Sequence, residues 1–295
     1  MDRAHDTVLK LALPKGRMQD GVFQLLAETG IHIHASDRGY RPRLSLPGYD
    51  VKILKPQNII EMLHNGLRDL GFAGADWVAE LDAQVDEVID TGLDPIKLVA
   101  AAPADLLDEH TTGVARLPKR SLVIASEYEK LSRDWVARHQ LEARIVRSYG
   151  ATEVFPPEDA DCIIDNTATG ATLKANGLDI IDVLMTSSTR LYARKGLLDD
   201  GTRREAVDAF VLLLRSVLEA RRRVMLELNV SSDNLERVIS VLPCMREPTV
   251  STLHGSAGYA VKAAVPRVDL PALIPKIKQC GGSDIVVSAL SQIVP

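Results

Sequence analysis

The chain has 295 residues, a formal net charge of −5, 46% hydrophobic residues and 25% charged ones, enough for two or three domains with substantial cores. That balance describes an ordinary globular protein and speaks against a general nucleic-acid binder, which carries a basic face. A small anionic ligand stays possible, because local Lys and Arg reverse the field inside one cleft.

The opening Met-Asp-Arg-Ala-His-Asp has no basic region followed by a long apolar one, and no run approaches the ~20 apolar residues of a membrane span. Cys162, Cys244 and Cys280 are far apart, without Cys-x-x-Cys spacing, and read as reduced thiols. Both observations predict a cytoplasmic protein without membrane partners.

Thr7–Leu13 reads as a strand, followed at its carboxyl end by Pro14-Lys15-Gly16-Arg17. Ligands of open α/β sheets bind at that end of strands, so Lys15, Gly16 and Arg17 are candidates for an anion or nucleotide contact; a charged surface turn is the other reading. Gly21–Glu28 predicts an amphipathic helix closed by Gly30. In Ile31–Pro47, His32 and His34 lack a nearby third metal ligand, whereas Arg38, Arg41 and Arg43 suit phosphates or a solvated turn. Val51–Leu54 is a strand, Asn58–Leu63 a helix, and Arg68–Ala73 a third strand running into Gly74-Ala75-Asp76 before a helix from Trp77 to Leu81. Gly74 lets backbone approach a ligand, and Asp76 is placed to cap the helix or to take a ligand hydroxyl or amino group. No Gly-x-Gly-x-x-Gly is present, which excludes a dinucleotide fingerprint.

Lys97–Ala102, between Pro95 and Pro103, marks a change of domain. A strand Ser121–Ala125, a helix Glu127–His139 with Ser126 and Glu129 spaced as a capping box, and a strand Arg144–Arg147 follow. Next comes the stretch with most chemistry, Asp161–Leu178. A strand Cys162–Asp165 meets the loop Asn166-Thr167-Ala168-Thr169-Gly170-Ala171-Thr172, then Leu173–Asn176, helical until Gly177. Small residues, backbone N–H groups, hydroxyls and a helix start suit a phosphate, and Asp165 suits two ribose hydroxyls. The lysine of a P-loop is missing, so P-loop hydrolysis is not expected. A plain capped strand-to-helix junction is also open on these residues alone.

Arg190–Arg194 predicts a strand returning to the first lobe, and Arg203–Arg223 a long helix. Strands alternating with helices predict two α/β lobes with largely parallel sheets around a cleft. Beyond lie a strand Val224–Val230, a helix Asp233–Leu242, strands Thr249–Leu253 and Tyr259–Val265, a helix Leu270–Cys280 with Pro275 in it, and a strand Asp284–Leu290. That order, βαββαβ, is the ferredoxin-like pattern.

Three segments together resemble the ATP phosphoribosyltransferase family, long form: Leu11–Arg17, Asp69–Asp76 and Asp161–Leu178, the most specific being Asp165–Leu173 with Ala175–Leu178. The resemblance covers nearly the whole chain. It implies periplasmic-binding-protein-like lobes at 1–96 with 185–222 and at 97–184, and a ferredoxin-like regulatory domain at 223–295. The implied activity is Mg²⁺-dependent transfer of the 5-phosphoribosyl group of phosphoribosyl pyrophosphate (PRPP) to N1 of the ATP adenine, without a dedicated metal cage. A homo-oligomer, dimer to hexamer, with histidine as feedback inhibitor is implied as well.

Carried onto this chain, Asp165, Thr167, Ala168, Thr169, Gly170, Ala171 and Thr172 would hold PRPP; Lys15, Gly16, Arg17, Gly74 and Asp76 would line the wall for ATP and pyrophosphate; Glu153 would be the acid near the cleft and a candidate base. Asp165, Glu153, Lys15 and Arg17 are the implied catalytic set. Asn229, Thr249, Ser251 and Leu253 would meet histidine. Two positions depart from related patterns: Asn166 stands where other phosphoribosyltransferases often carry a second acid, with Asp161 as a partial substitute, and Asn229 stands where some long-form members have Asp. The rival class is a two-lobed ligand-binding protein with an amino-acid-sensing appendage; a catalytically dead regulatory paralogue is disfavoured by the presence of Lys15, Arg17 and Asp165.

Overall fold

The computed structural model describes residues 8–34 and 39–294; the opening segment through Thr7, Arg38 and the side chain of Ser256 lie outside the described residues. By their contacts, residues up to Gln24 with His32–Val207 form one compact unit, and Leu25–Ile31 with residues from Asp208 onward form a second.

In the first unit, β1 (Leu9–Pro14) leads into α1 (Arg17–Glu28), which starts one turn earlier than its apolar pattern suggests. A small hairpin of β2 (Ile33–His34) and β3 (Arg43–Leu44) precedes β4 (Tyr49–Leu54) and α2 (Pro56–His64). Pro56 opens α2 where its missing N–H costs nothing, and Ile59, Ile60 and Leu63 are buried, each worth about 2 kcal/mol. Next come β5 (Leu70–Gly74), buried throughout, α3 (Ala75–Glu80) and β6 (Val85–Pro103), then β7 (Leu122–Ser126), α4 (Glu129–Arg138) and β8 (Ala143–Arg147). The last set is β9 (Cys162–Thr167), α5 (Ala171–Ala175) and β10 (Leu178–Arg194).

These strands make one eight-stranded sheet in the order β4-β1-β5-β10-β6-β9-β7-β8. Parallel pairing is confined to the two ends, β4-β1-β5 and β9-β7-β8; β10 runs antiparallel to β5 and β6, and β6 antiparallel to β9. The expected largely parallel sheets are therefore corrected to a mixed sheet. Thr91-Gly92-Leu93-Asp94-Pro95, a turn by composition, lies inside a 19-residue strand. Repeated register shifts against β10 absorb the irregularity, with Gly92 (φ 65°) and Asp94 (φ 48°) in the left-handed region. One apolar core runs across this sheet, from Ala12, Ile60 and Ala73 through Leu98 and Ala100 to Ile124, Trp135 and Ile164.

The capping box is also corrected. The Ser126 hydroxyl donates to the Ile164 carbonyl at 2.6 Å and accepts from the Tyr128 N–H at 2.9 Å, short of the helix. The second and third N–H groups of α4, on Lys130 and Leu131, are taken instead by the two Glu80 oxygens of α3, at 2.9 and 3.0 Å.

The second unit holds most of α6 (Gly201–Arg222), then β11 (Arg223–Val230), α7 (Leu235–Ile239), β12 (Thr249–Thr252), β13 (Tyr259–Pro266), α8 (Leu270–Gln279) and β14 (Ser283–Ala289). The predicted helix Asp233–Leu242 is shorter than expected. Its four-stranded sheet, β12-β13-β11-β14, is antiparallel throughout, the expected ferredoxin-like arrangement. Alternate residues of β11 (Val224, Leu226, Leu228, Val230) pack with Val238, Leu273 and Ile277 under the helices. The other residues of β11 (Arg223, Met225, Glu227, Asn229) are half-buried.

Candidate active site

The carboxyl end of β9 presents Asp165, which accepts from the Asn166 backbone N–H at 2.7 Å and from its side-chain amide at 3.3 Å. Burial foremost pushes the Asp165 carboxyl up to about 6; the nearby Glu127 and Glu153 charges add to this, and hydrogen bonds from Asn166 and Thr152 oppose it. Glu153 stands half-buried on a short 3-10 turn, Thr152–Val154, whose buried Thr152 is anchored on Ser148 at 2.8 Å. Asp165 and Glu153 are thus electrostatic neighbours. Asp161, proposed above as a partial substitute for a second acid, is not one. It lies at the other end of β9, roughly 13 Å away by strand rise, accepting from Arg120 at 2.6 Å and from the Val123 N–H at 2.8 Å.

Beyond Asp165 the loop folds on itself. The Thr167 hydroxyl accepts the Gly170 N–H at 2.9 Å, and Thr169 the Ala171 N–H at 3.3 Å. Gly170, at φ 80°, turns the chain into α5 in a conformation that a side chain would strain. Ala168, Thr169, Ala171 and Thr172 are exposed, while Leu173 is buried and pins the loop. The result is a small-residue turn with hydroxyls and N–H groups open to a ligand.

Asp76 behaves differently from its neighbours on the predicted wall. Gly74 is the N-cap of α3 and the helix has no side-chain cap, so Asp76 does not cap it. Its carboxylate is 2% exposed and occupied twice: Oδ1 accepts from the Ser187 hydroxyl at 2.6 Å and Oδ2 from the Tyr128 hydroxyl at 2.7 Å. The Tyr128 oxygen accepts in turn from the Asn166 amide at 3.1 Å. A hydrogen-bonded chain therefore runs Ser187–Asp76–Tyr128–Asn166–Asp165. Gly74 is required beside it, because a Cβ there would sit 2.0 Å from Asp76 Oδ1.

Lys15 and Gly16 form the exposed turn between β1 and α1, with Gly16 at φ 87°, and the exposed Arg17 opens the helix. Met18, one residue on, reaches Gly74: its Cε lies 3.1 Å from where a Gly74 Cβ would be. The Lys15 ammonium donates to the Tyr40 hydroxyl at 2.9 Å and lies 4.8 Å from the ring centre. Together with Arg41, Lys52, Lys55 and Asn58 it lines a groove of about 410 Å³. Arg68 foremost, then burial and Arg41, depress the Lys52 pKa, as expected where cations crowd. This groove and the cleft of about 400 Å³ that Ala168 shares with Ser187 have different linings. Of the residues predicted for the wall, Asp76 is the one tied to Asp165, through Tyr128 and Asn166.

In the second unit, Asn229, Thr249 and Ser251 line one groove of about 460 Å³ together with Glu227, Lys262 and Asp284. The Asn229 amide donates to Asp284 at 3.0 Å, and Glu227 pairs with Lys262 at 2.7 Å. Leu253 is not among the lining residues; it follows β12, its N–H bonded to the Gly258 carbonyl.

Sequence reasoning passed over Tyr128, Ser187, Thr152, Glu127, Tyr40, Lys52 and Lys55. Lys55 had a legible signal, a cation at a strand's carboxyl end before a helix-opening proline. The buried network had none, since Ser187 and Asp76 are 111 residues apart. Among the described residues, no cluster of three or more His, Cys, Asp or Glu could hold a metal, and no helix is long and apolar enough to cross a membrane.

Residues 55–216 match the family model described as ATP phosphoribosyltransferase, and residues 220–292 match that of the HisG C-terminal domain. Proteins named ATP phosphoribosyltransferase from Pelotomaculum thermopropionicum and Desulforudis audaxviator are each 35% identical over 292 residues, covering 97% of this chain and 99% of theirs. One from Chlorobium chlorochromatii is 32% identical, covering 97% of this chain and 98% of its own. Among solved structures, the ATP phosphoribosyl transferase (HisG:HisZ) complex from Thermotoga maritima aligns with a TM-score of 0.62 at 25% identity, covering 72% of this chain and 98% of that one. With both matches in tandem, the chain belongs to the ATP phosphoribosyltransferase family in its long form, whose reaction is the first step of histidine biosynthesis.

Proposed function

We propose that Asp165 and the loop Thr167–Thr172 hold the ribose and 5-phosphate of PRPP, and that the Lys15–Arg17 turn with Gly74 forms the wall facing ATP and the pyrophosphate. The observation that carries this reading is the junction at the end of β9: a desolvated carboxylate, then the half-buried Asn166 and Thr167 that finish the strand, then a hydroxyl-bearing turn exposed from Ala168 and pinned by Leu173. An ionised carboxylate short of water gains from two ribose hydroxyls, and the open N–H groups suit a phosphate. The basic groove of Lys15, Arg41, Lys52 and Lys55 is the complementary site for polyphosphate charge.

The adenine N1 attacks C1 of PRPP, the C1–O bond to pyrophosphate breaks with inversion, and the leaving group carries away the electron pair. Positioning and charge neutralisation carry such a reaction, and the chain needs no covalent nucleophile. Glu153 is the candidate base for the 6-amino proton that the adenine sheds once N1 is alkylated, and Asp165 steadies the ribose as positive charge develops at C1. Mg²⁺ is a further part of the proposal: Asp165 is the oxygen donor that would help the diphosphate and water hold it, and when bound it would offset charge on the leaving group. Asp76 supports this site through Tyr128 and Asn166.

The same reading takes the chain as 1–96 with 185–222, 97–184 and 223–295, assembled as a homo-oligomer from dimer to hexamer. Histidine would bind in the groove of Asn229, Thr249 and Ser251, with Leu253 outside its lining. It would inhibit by differential affinity for two states of the assembly. The test is pyrophosphate release by purified protein with Mg²⁺, ATP and PRPP, each omitted in turn, with and without millimolar-scale histidine. Release needing both substrates and falling with histidine is expected. Release indifferent to histidine removes the regulatory part, and no release from folded protein favours a ligand-binding protein.

A further inference from the structure

The loop Thr167–Thr172 supplies only neutral donors, and two of its N–H groups, on Gly170 and Ala171, are already bonded within the loop. A phosphate monoester brings close to two negative charges, which the loop alone leaves without a matching cation. The adjacent strand offers one. In the register of the sheet, Lys97 of β6 stands opposite Thr167 on β9 and opposite Thr186 on β10. Neighbouring strands lie about 4.8 Å apart, within the length of a lysine side chain. Lys97 and Ala168 line the same cleft of about 400 Å³, with Ser187 and Ser188.

The cleft's other charges are committed. Arg190 pairs with Glu87 at 2.7 Å and Asp90 at 3.3 Å, and Asp90 also accepts from the Ser188 hydroxyl at 2.7 Å and the Gly92 N–H at 2.8 Å. Lys97 is exposed and has no ion pair among the described residues. An unpaired ammonium at the mouth of a hydroxyl-lined cleft, one strand from a phosphate-type turn, is placed to neutralise an anion held there.

We propose that Lys97 is a substrate-binding residue that supplies the positive charge for the 5-phosphate of PRPP, in place of the lysine that a P-loop carries within its own sequence. The inference rests on the reading of Thr167–Thr172 as the PRPP loop. It predicts a division of labour: the turn gives direction through neutral donors, while strand β6 gives charge.

The test uses the full chain with Lys97→Met, Lys97→Gln, Lys97→Arg and, as a loop control, Thr169→Val. Steady-state constants for PRPP and ATP are measured, with calorimetric titration of ribose 5-phosphate against ribose. Loss of one charge-assisted contact raises the PRPP KM of the Met and Gln variants about 10- to 100-fold. The ATP KM stays within about twofold, and ribose 5-phosphate affinity falls in parallel with ribose unaffected. Lys97→Arg restores most of the affinity, which a purely structural role would not require. The salt dependence of the PRPP KM becomes shallower without the charge. Wild-type PRPP and ribose 5-phosphate binding in the Met and Gln variants, with binding lost in Thr169→Val, overturns the role of Lys97 and leaves the loop reading intact. Wild-type binding in all of them overturns both.

Discussion

The Tyr128 hydroxyl lies 2.7 Å from Asp76 Oδ2, and through it a carboxylate following β5 is tied to the Asn166 and Asp165 pair at the end of β9. Burial foremost, with the Asp76 charge next, raises the Tyr128 pKa, so the phenol remains a donor across the working pH range. Its ring stacks on Trp77 at 4.7 Å between centres. Tyr128→Phe keeps that stack and deletes both hydrogen bonds, leaving the buried Asp76 one partner short. The expected cost is about 1–3 kcal/mol of stability, read as a lower thermal midpoint, together with a reduced kcat. An unchanged midpoint and rate would mean that the chain of bonds carries nothing.

Asp165 makes stability depend on pH with a defined sign. Its folded pKa of about 6 lies above the ordinary 3.8, so between those values the folded state holds a proton that the unfolded chain has released. Stability is therefore lost as pH rises through that window, by up to about 3 kcal/mol once ionisation is complete. Asp165→Asn, nearly isosteric, is expected to raise the thermal midpoint at pH 7.5, to lose that advantage near pH 4, and to weaken PRPP binding at both. A lower midpoint for Asp165→Asn at pH 7.5 would show that the Asn166 and Thr152 hydrogen bonds outweigh burial.

Much of this was readable from local pattern. The apolar spacing of α1, the strand-glycine-helix run at Leu70–Glu80 and the βαββαβ order of the C-terminal segment each follow from short-range chemistry, and their boundaries differ by a few residues. Two features were not local. The antiparallel centre of the sheet comes from the long pairing of β6 with β10, whose bulges put a turn-like Gly92 and Pro95 inside a strand. The Asp76 network joins residues 52 and 111 positions apart, and nothing about a lone Asp after Gly-Ala announces a buried hydroxyl on each oxygen. The capping box failed for a related reason, because a tertiary partner reached the helix first.

That partner is Glu80, whose carboxylate oxygens accept the Lys130 and Leu131 N–H groups. A charge at a helix start gains from both the hydrogen bonds and the helix dipole, so Glu80→Ala is expected to cost about 1–2 kcal/mol. Glu80→Gln keeps an acceptor and loses less. Because Ser126 is spent on Ile164, it cannot take over the cap. Hydrogen exchange across the first turn of α4 checks this: faster exchange at Lys130 and Leu131 in Glu80→Ala is the expected result, and wild-type protection there would assign the capping elsewhere.

Gly74 offers a sharper test of the Asp76 chain. An added Cβ would lie 2.0 Å from Asp76 Oδ1, while Met18 Cε at 3.1 Å is the flexible neighbour that can move aside. Asp76 cannot follow it freely, because Ser187 and Tyr128 hold its two oxygens and its own N–H donates to Ser187 at 3.1 Å. Gly74→Ala should therefore cost about 1–3 kcal/mol, mainly by pushing Asp76 off its partners. If so, Gly74→Ala and Tyr128→Phe damage the same bonds, and the double variant loses less than the sum, with a coupling of about 0.5–3 kcal/mol. Additive losses, within about 0.5 kcal/mol, would place the strain of Gly74→Ala outside the network and leave Asp76 where it is.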